Sequence, residues 1–454
     1  MMGEGLARWV DSRVRLAKFV RKALNHVFPD HWSFMLGEIA LYSFVILVIT
    51  GTYLAMFFHG SSARVIYHGT YRPLDGVSMS AAYQSVLHLS FDVPAGLLIR
   101  QMHHWAADIF IGAILAHLAR IFFTAAYRRP RELNWIIGLT LLVLALANGF
   151  LGYSVCDDLL SGAGLRIGYA ILLSIPVIGP WITFLALGGT VPSDTTVPRL
   201  YALHIFLVPA LIALLIGAHL AILWRQLHTN YPGPKRTDKT IVGARLWPSY
   251  TLKSLGLFFL VFGVVAALGG LLQIDPVWIY GPYNPVAILP GAQPDWYLGW
   301  VEGAMRLFPG VNLWLGHYLI PEVFFPGFLF PFLVFVFLYS WPFVEKYLSF
   351  DFATHHVLRL PRQQPWITAF GCAVAVLMLV LLVAGGDDVV ALAENGNVVQ
   401  IRTLLRILVF VAPVVTGAVV YSICRWANRK SSPVAEERSA AEVLSHEEPT
   451  TQPQ

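Results

Sequence analysis

The sequence predicts an all-α integral membrane protein with eight transmembrane helices, and three observations predict it. Of 454 residues, 57% are hydrophobic and only 13% are charged. A soluble domain carries about 25% charged residues, so much of this surface must face something other than water. The apolar residues come in blocks near the roughly 20 residues that cross a bilayer core of about 30 Å. Lys and Arg concentrate in alternate connections, the pattern that orients spans. The net charge of +5 is spread between the blocks and gathers in no stripe, which gives no case for nucleic acid.

In chain order, residues 1–32 form a basic amphipathic segment (Arg8, Arg13, Arg15, Lys18, Arg21, Lys22), expected to lie along the cytoplasmic face with no cleavable signal peptide. Eight spans follow, named A to H: Ser33–Phe58, Arg100–Ala126, Leu133–Tyr153, Pro198–Trp224, Leu252–Leu272, Pro321–Trp341, Trp366–Ala384 and Thr403–Cys424. Spans A–D make a first domain, 33–230. A cytoplasmic linker, 231–248, leads to a second domain, 249–430, with an outer loop at 273–320. The tail, 431–454, is rich in Glu, Ser and Pro and is expected to be disordered. The basic connections are B–C (Arg128, Arg129, Arg131), D–E (Arg225, Lys235, Arg236, Lys239, Arg245) and F–G (Lys346, Arg359, Arg362). Together with the basic N-terminal segment and Arg425, Arg429 and Lys430, they put both termini in the cytoplasm. Ile171–Leu187 is apolar enough for a ninth span, but Pro176, Gly179 and Pro180 interrupt it. Counting it would also move the basic D–E connection outside. It reads as short helices at the outer surface, about 157–190.

Five histidines fall inside spans: His103, His104 and His117 in B, His204 and His219 in D. Ionisable groups at membrane depth are costly and mark function by default. His103 and His117 stand 14 residues apart, nearly four turns and about 21 Å along one face. His204 and His219 stand 15 apart, just over four turns. Two helices thus present two imidazoles each at matching depths, and each facing pair can fill both axial positions of one haem iron. The implied group is two stacked, non-covalent b haems inside the A–D bundle. Iron filled on both sides implies electron transfer. His104 is as good a ligand by residue type, but the register with His117 favours His103. Gly37 and Gly51 in A, and Gly138 and Gly152 in C, repeat the spacing of 14. Glycine costs about 1 kcal/mol in a helix interior and suits close approach of a flat ligand, although small residues also simply let helices pack. Arg100 and Arg120 lie three residues outside His103 and His117, where guanidinium groups can meet haem propionates or snorkel to the interface. Cys156, Cys372 and Cys424 form no C-x-x-C pattern, so a zinc site or covalent c-type haem is not expected.

These patterns, with Pro294-Asp295-Trp296-Tyr297 matching a P-[ED]-W-Y signature, resemble cytochrome b of the bc1 and b6f complexes over about residues 30–425. HHWAA, HLARIFF and YRRPRE resemble the actinobacterial branch. The resemblance implies a membrane subunit of a quinol:cytochrome c oxidoreductase in a bacterial plasma membrane. His103 and His204 would hold an outer haem, and His117 and His219 an inner one. Quinol, suggested by the branch to be menaquinol, would be oxidised in an outer pocket. One electron would pass to a Rieske-type iron–sulfur subunit and on to a c-type cytochrome. The other would cross the two haems to a cytoplasmic quinone site, in a Q cycle that moves protons outward. A homodimeric complex and an attached terminal oxidase also follow from the resemblance.

Asp295 lies in an aromatic outer connection (Trp296, Tyr297, Trp300), where a carboxylate can take a proton from quinol, or can cap the short helix after Pro294. Tyr297 belongs to the same turn, and Glu302 is a second proton carrier. Tyr153, Gly162–Arg166 and Ile175-Pro176 match the family's opposite wall. The inner quinone site rests on Lys253, Ser254 and Arg245, where relatives often carry an acid at the position of Ser254. Asp295 is shorter than the Glu of many relatives, and Cys156 replaces their proline. No cysteine stands near Gly37 for an additional covalent haem. Two other classes compete: a di-haem anchor of another quinone-linked enzyme, which lacks the P-[ED]-W-Y turn, and a haem-free proton-coupled transporter.

Overall fold

The structure is a computed structural model that describes residue 9 and residues 11–13, 15–287, 289 and 291–445. Arg8 and the last nine residues of the tail lie outside the described residues. Among the described residues, eight helices are long and apolar enough to cross a membrane: Trp32–Ala55, Gly96–Phe123, Glu132–Ser154, Thr196–Gln226, Leu246–Leu271, Phe325–Ser349, Pro365–Gly385 and Val398–Arg429. They correspond one to one with spans A–H. The only sheets among the described residues are three two-stranded hairpins or bridges.

Two ends differ instructively. Span F does not stop at Trp341. It continues through Pro342 to Ser349, since a proline is tolerated in a span whose neighbours re-satisfy the freed carbonyl. The last helix runs on through Val398–Ser445, where the tail was expected to be disordered from residue 431; its AEERSAAEVL run is built from strong helix formers. The interrupted apolar stretch gives two short helices, Leu159–Leu173 and Gly179–Leu187, parted at Pro176. The first begins in a capping box from Asp158 and Ser161, and Pro180 sits at the start of the second, where its missing N–H is harmless.

Span A packs along B, C along D, and E against both A and B. An apolar layer fills the middle of the A–D bundle, built from Ala40, Phe110, Ile111, Ala113, Leu141, Leu142, Ala145, Val208 and Ile212. In each helix these residues fall between the two glycine or histidine positions, so the layer separates the two levels. Span D solves a register problem. Fifteen residues of regular α-helix overshoot four turns by about 60° and would rotate His219 away from His204. The extra residue is absorbed in a π-turn, Leu203–Leu207, that contains His204. Pro209 lies just beyond it, and its ring would clash with the Ile205 carbonyl in a regular helix.

The C-terminal half is closed by glycine. The helix Gly299–Leu307 lies against span G. A Cβ at Gly303 would fall on the Leu381 carbonyl, and one at Gly385 on the Gly299 carbonyl. Gly303→Val should therefore lower the melting temperature of the detergent-purified protein, by an overpacking cost of about 1–3 kcal/mol. Gly256→Ala, on a face where an added Cβ meets nothing within 4 Å, should leave melting unchanged in the same thermal scan.

Candidate functional site

The four spaced histidines meet in two couples. The rings of His103 and His204 face each other with centroids 6.2 Å apart and planes 81° to one another. Two metal–imidazole bonds of about 2 Å, plus the two ring radii, account for such a separation. His117 and His219 stand at the inner level, each against a glycine of the neighbouring span, Gly37 of A and Gly138 of C. The outer couple also has its tautomers set. Thr50 gives its one hydroxyl hydrogen to the Ile46 carbonyl at 2.7 Å, so its oxygen accepts from His103 Nδ1 at 2.9 Å. His204 Nδ1 donates to the Asn148 carbonyl at 3.0 Å. Both rings are left with an Nε2 lone pair for a metal.

The paired glycines stand against these rings. A Cβ at Gly51 would lie 3.0 Å from His103, at Gly37 3.2 Å from His117, at Gly138 3.7 Å from His219 and at Gly152 2.5 Å from His204. An added Cβ at Gly51, Gly37 or Gly152 would press on an imidazole, and one at Gly138 would touch His219 at ordinary contact distance. Arg100 and Arg120 carry buried N–H groups without protein partners: Nε of Arg100, and Nε and Nη2 of Arg120. Arg100 Nη2 donates to the Asp275 carbonyl at 3.1 Å, and the Arg120 guanidinium lies 4.0 Å over the Phe34 ring. Facing imidazoles with free lone pairs, flanked by buried unpaired guanidinium N–H groups, fit an iron porphyrin with two carboxylates.

The outer turn docks on one stripe of span B. His104 Nε2 lies 3.0 Å from Asp295 Oδ1, the Trp296 indole donates to Asp108 at 2.8 Å, and Trp296 reaches over Gly112. Residues 104, 108 and 112 are successive turns of one helix face. Tyr297 is buried against Gly149 and donates to Asp295 Oδ2 at 2.8 Å. Asp295 begins the turn Trp296–Leu298, but its side chain caps nothing; it goes to His104 and Tyr297. Burial opposes its ionisation, yet these hydrogen bonds outweigh burial and hold the Asp295 carboxyl below the usual carboxylate range. Asp275 lies 3.8 Å from His104, and burial pushes its carboxyl up. Tyr153 donates to the Leu160 carbonyl at 2.9 Å and to that of Gln293 at 3.4 Å, so it reaches the same loop.

Three site residues expected from the sequence go elsewhere. Glu302 meets Arg306 at 3.0 Å, and Arg306 also holds Asp387 at 2.6 Å and Asp388 at 2.7 Å. Glu302 is thus held in an ion cluster. Lys253 pairs with Asp30 at 2.7 Å. Arg245 is exposed and pairs through its backbone with Val27. Ser254 does find a carboxylate, that of Glu38, at 2.6 Å. Asp108, Asp275 and Glu38 had no motif to single them out, and His104 stood out only as a rival ligand to His103. The usable signals were a charged residue at membrane depth and the i, i+4 spacing of His104 and Asp108.

A family model described as cytochrome b (N-terminal)/b6/petB matches residues 108–282. The chain is 46% identical over 430 residues to the cytochrome bc1 complex cytochrome b subunit of Streptomyces coelicolor, covering 94% of this chain and 78% of the relative. The chain belongs to the cytochrome b subunits of the cytochrome bc1 complex. The corresponding subunit of Mycobacterium tuberculosis is also 46% identical, over 96% of this chain and 80% of that one. A chain of a hyperthermophilic respiratory complex III shares the fold, with a TM-score of 0.68 at 21% identity, over 92% of this chain and 98% of that chain. Haem, iron and a quinone substrate follow for this cytochrome b from its family.

The Arg306 cluster gives this cytochrome b a pH signature. Burial alone would push Asp387 up, but Arg402 and Arg306 hold its carboxyl below the usual range. A depressed carboxyl stabilises the fold above its unfolded value of about 3.9, and the contribution is lost as pH falls. The melting temperature should fall chiefly as pH drops below about 4, through the unfolded-state value near 3.9 and on towards the lower value of the folded state. Asp387→Asn should make that fall shallower while lowering stability near neutrality, as read by thermal scans across pH.

Proposed function

We propose that this chain is the membrane subunit of a quinol:cytochrome c reductase that oxidises quinol at its outer side and returns electrons to quinone at its inner side. The observation that carries this reading is the pair of facing histidine couples at two depths of one bundle, joined through His104 to the Asp295 turn. His103 and His204 would hold an outer haem b, and His117 and His219 an inner one. Gly51, Gly152, Gly37 and Gly138 give the rings room, and Arg100 and Arg120 take the propionates. The haems supply electron transfer across the membrane.

The chain's own residues handle the protons. Asp295 is fixed by His104 and Tyr297 and held in its ionised form, ready to take a proton from a quinol hydroxyl. Trp296, locked to Asp108, keeps the turn against span B. Tyr153 lines the loop from the other side. Asp275 stands next along His104 as an acceptor towards the outer water. The quinol is menaquinol, in keeping with the actinobacterial relatives. A Rieske-type iron–sulfur subunit and a c-type cytochrome take the other electron. The complex is a homodimer in a bacterial plasma membrane, both termini cytoplasmic, with a terminal oxidase as a further partner.

Haem extraction should give two haems b per chain. His117→Ala should remove one and keep the other, and Gly152→Val, which crowds His204, should lose the outer one. Asp295→Asn should keep both haems and slow quinol-driven cytochrome c reduction about 100-fold, within the range of a lost general base. Colourless protein, or unchanged turnover in Asp295→Asn, would exclude this function.

A further inference from the structure

A groove lined by four cations lies at the inner end, outside both histidine couples. Its walls are the helix Leu16–Leu24 and the connection from span D to span E, and its volume is about 570 Å³. Small-molecule sites fall in the range of roughly 300–1,000 Å³. Lys18, Arg21 and Lys22 line it from the helix, and Lys239 lines it from the connection. The three helix cations are spaced i, i+3, i+4, so they form one stripe of the helix. No carboxylate lines the groove. The acids near it in the chain are engaged elsewhere. Asp11 accepts from the Ala17 N–H, and Asp30 pairs with Lys253 at 2.7 Å. Asp238, next to Lys239, accepts from the backbone of His356 and Val357 at 2.6 and 2.9 Å.

Three features point to a ligand and to the side it comes from. Like charges at i, i+3 and i, i+4 destabilise a helix, and a bound anion would relieve them. The His26 ring also lines the groove, and its Nε2 is buried without a hydrogen-bond partner. The face of that ring stacks on Trp224, with centroids 4.4 Å apart and planes at 16°, so the orphan nitrogen is held in place. A buried polar atom of this kind calls for a partner. The third feature is direction. Phe19, Val20 and Leu24 are exposed, and they lie on the side of the helix roughly opposite Lys18 and Lys22. An exposed apolar face of a basic amphipathic helix is the one that meets lipid. The cationic stripe therefore turns away from lipid and towards water.

We propose that this groove binds the phosphate chain of a soluble polyphosphate, such as a nucleoside triphosphate or inorganic triphosphate. A terminal phosphate carries about −1.5 to −2 charges at pH 7, and the other phosphates of the chain add to it, so the chain matches a cluster of four cations. Arg21 can take two oxygens through its fork, and the three lysines act as point charges. The Nε2–H tautomer of His26 donates to a further oxygen. Val27, Leu227 and Ile241 give the groove an apolar wall beside the cations, the mixed lining usual in a small-molecule site. An anionic lipid offers the same phosphate chemistry, but it would approach from the side of Phe19, Val20 and Leu24, away from the stripe. The site needs neither haem nor quinone, so it stands apart from the redox function proposed above.

The test uses the intact purified complex in phosphatidylcholine nanodiscs, with inorganic triphosphate and ATP as probes in magnesium-free buffer. Calorimetric titration should show saturable binding of one probe per chain, and the two probes should compete. Lys22→Gln with Lys239→Gln removes one charge from each wall and should weaken binding about tenfold or more. Arg21→Gln should weaken it as well, and Arg21→Lys, which keeps the charge, should recover part of the loss. Lys235→Gln removes a cation of the same connection that does not line the groove, and it should leave binding within about twofold. All these positions are exposed, so melting temperatures should match wild type. Anionic lipid retained per chain, counted by mass spectrometry, should be equal in wild type and in the Lys22→Gln, Lys239→Gln pair. No saturable binding in the wild type, or binding unchanged in that pair, would overturn the site. Loss of a retained anionic lipid in the pair would give the groove to a lipid headgroup and overturn the soluble ligand.

Discussion

Two helices that never lie side by side along their length must keep the same register over four turns, and the rest of the fold serves that constraint. Spans B and D bring four imidazoles to two depths. Nothing covalent holds them there. A backs B, C backs D, and a shared apolar layer fills the space between the levels. Glycine at each of four positions on A and C lets an imidazole come against the backbone. The π-turn at His204 corrects a one-residue excess. Removing a single residue from D, or straightening that turn, would turn a ring by about 100° and break a couple.

Membrane depth explains the second pattern. Charged groups there must be paired or must do something. Asp108 holds an indole, Asp295 a histidine and a tyrosine, and Glu38 the hydroxyls of Tyr250 and Ser254. The carboxylates around Arg306 do structural work: they tie Gln293, two residues before Asp295, to the last two spans through Asp388. The outer turn is thus gripped from both halves of the chain. That grip gives Asp295 fixed hydrogen bonds to His104 and Tyr297.

Much of this was legible in the sequence because periodicity survives folding. Eight apolar blocks gave eight spans, and the family motifs gave the family. The histidine spacing named residues that the fold sets face to face. What the sequence could not show was contact between segments far apart in the chain. Glu302 reads as a carrier in the sequence; in the fold it pairs with Arg306, which Asp387 and Asp388 also hold. Ser254 lacks an acid in its own helix, and the acid comes from Glu38 some two hundred residues earlier. His104 looked like a rival ligand beside His103, yet one helix position rotates it by about 100° and sends it to Asp295. Span F runs eight residues past Trp341, through Pro342, because a proline is tolerated inside a bilayer-spanning helix.

The most direct test is the electron paramagnetic resonance spectrum of the oxidised, purified chain, with iron and haem counted on the same sample. Two low-spin signals of the bis-imidazole type, in equal amounts, with one of them abolished in His204→Ala, are what two facing histidine couples predict. A high-spin spectrum, a single low-spin species, or two signals untouched by removal of His204 would contradict the account.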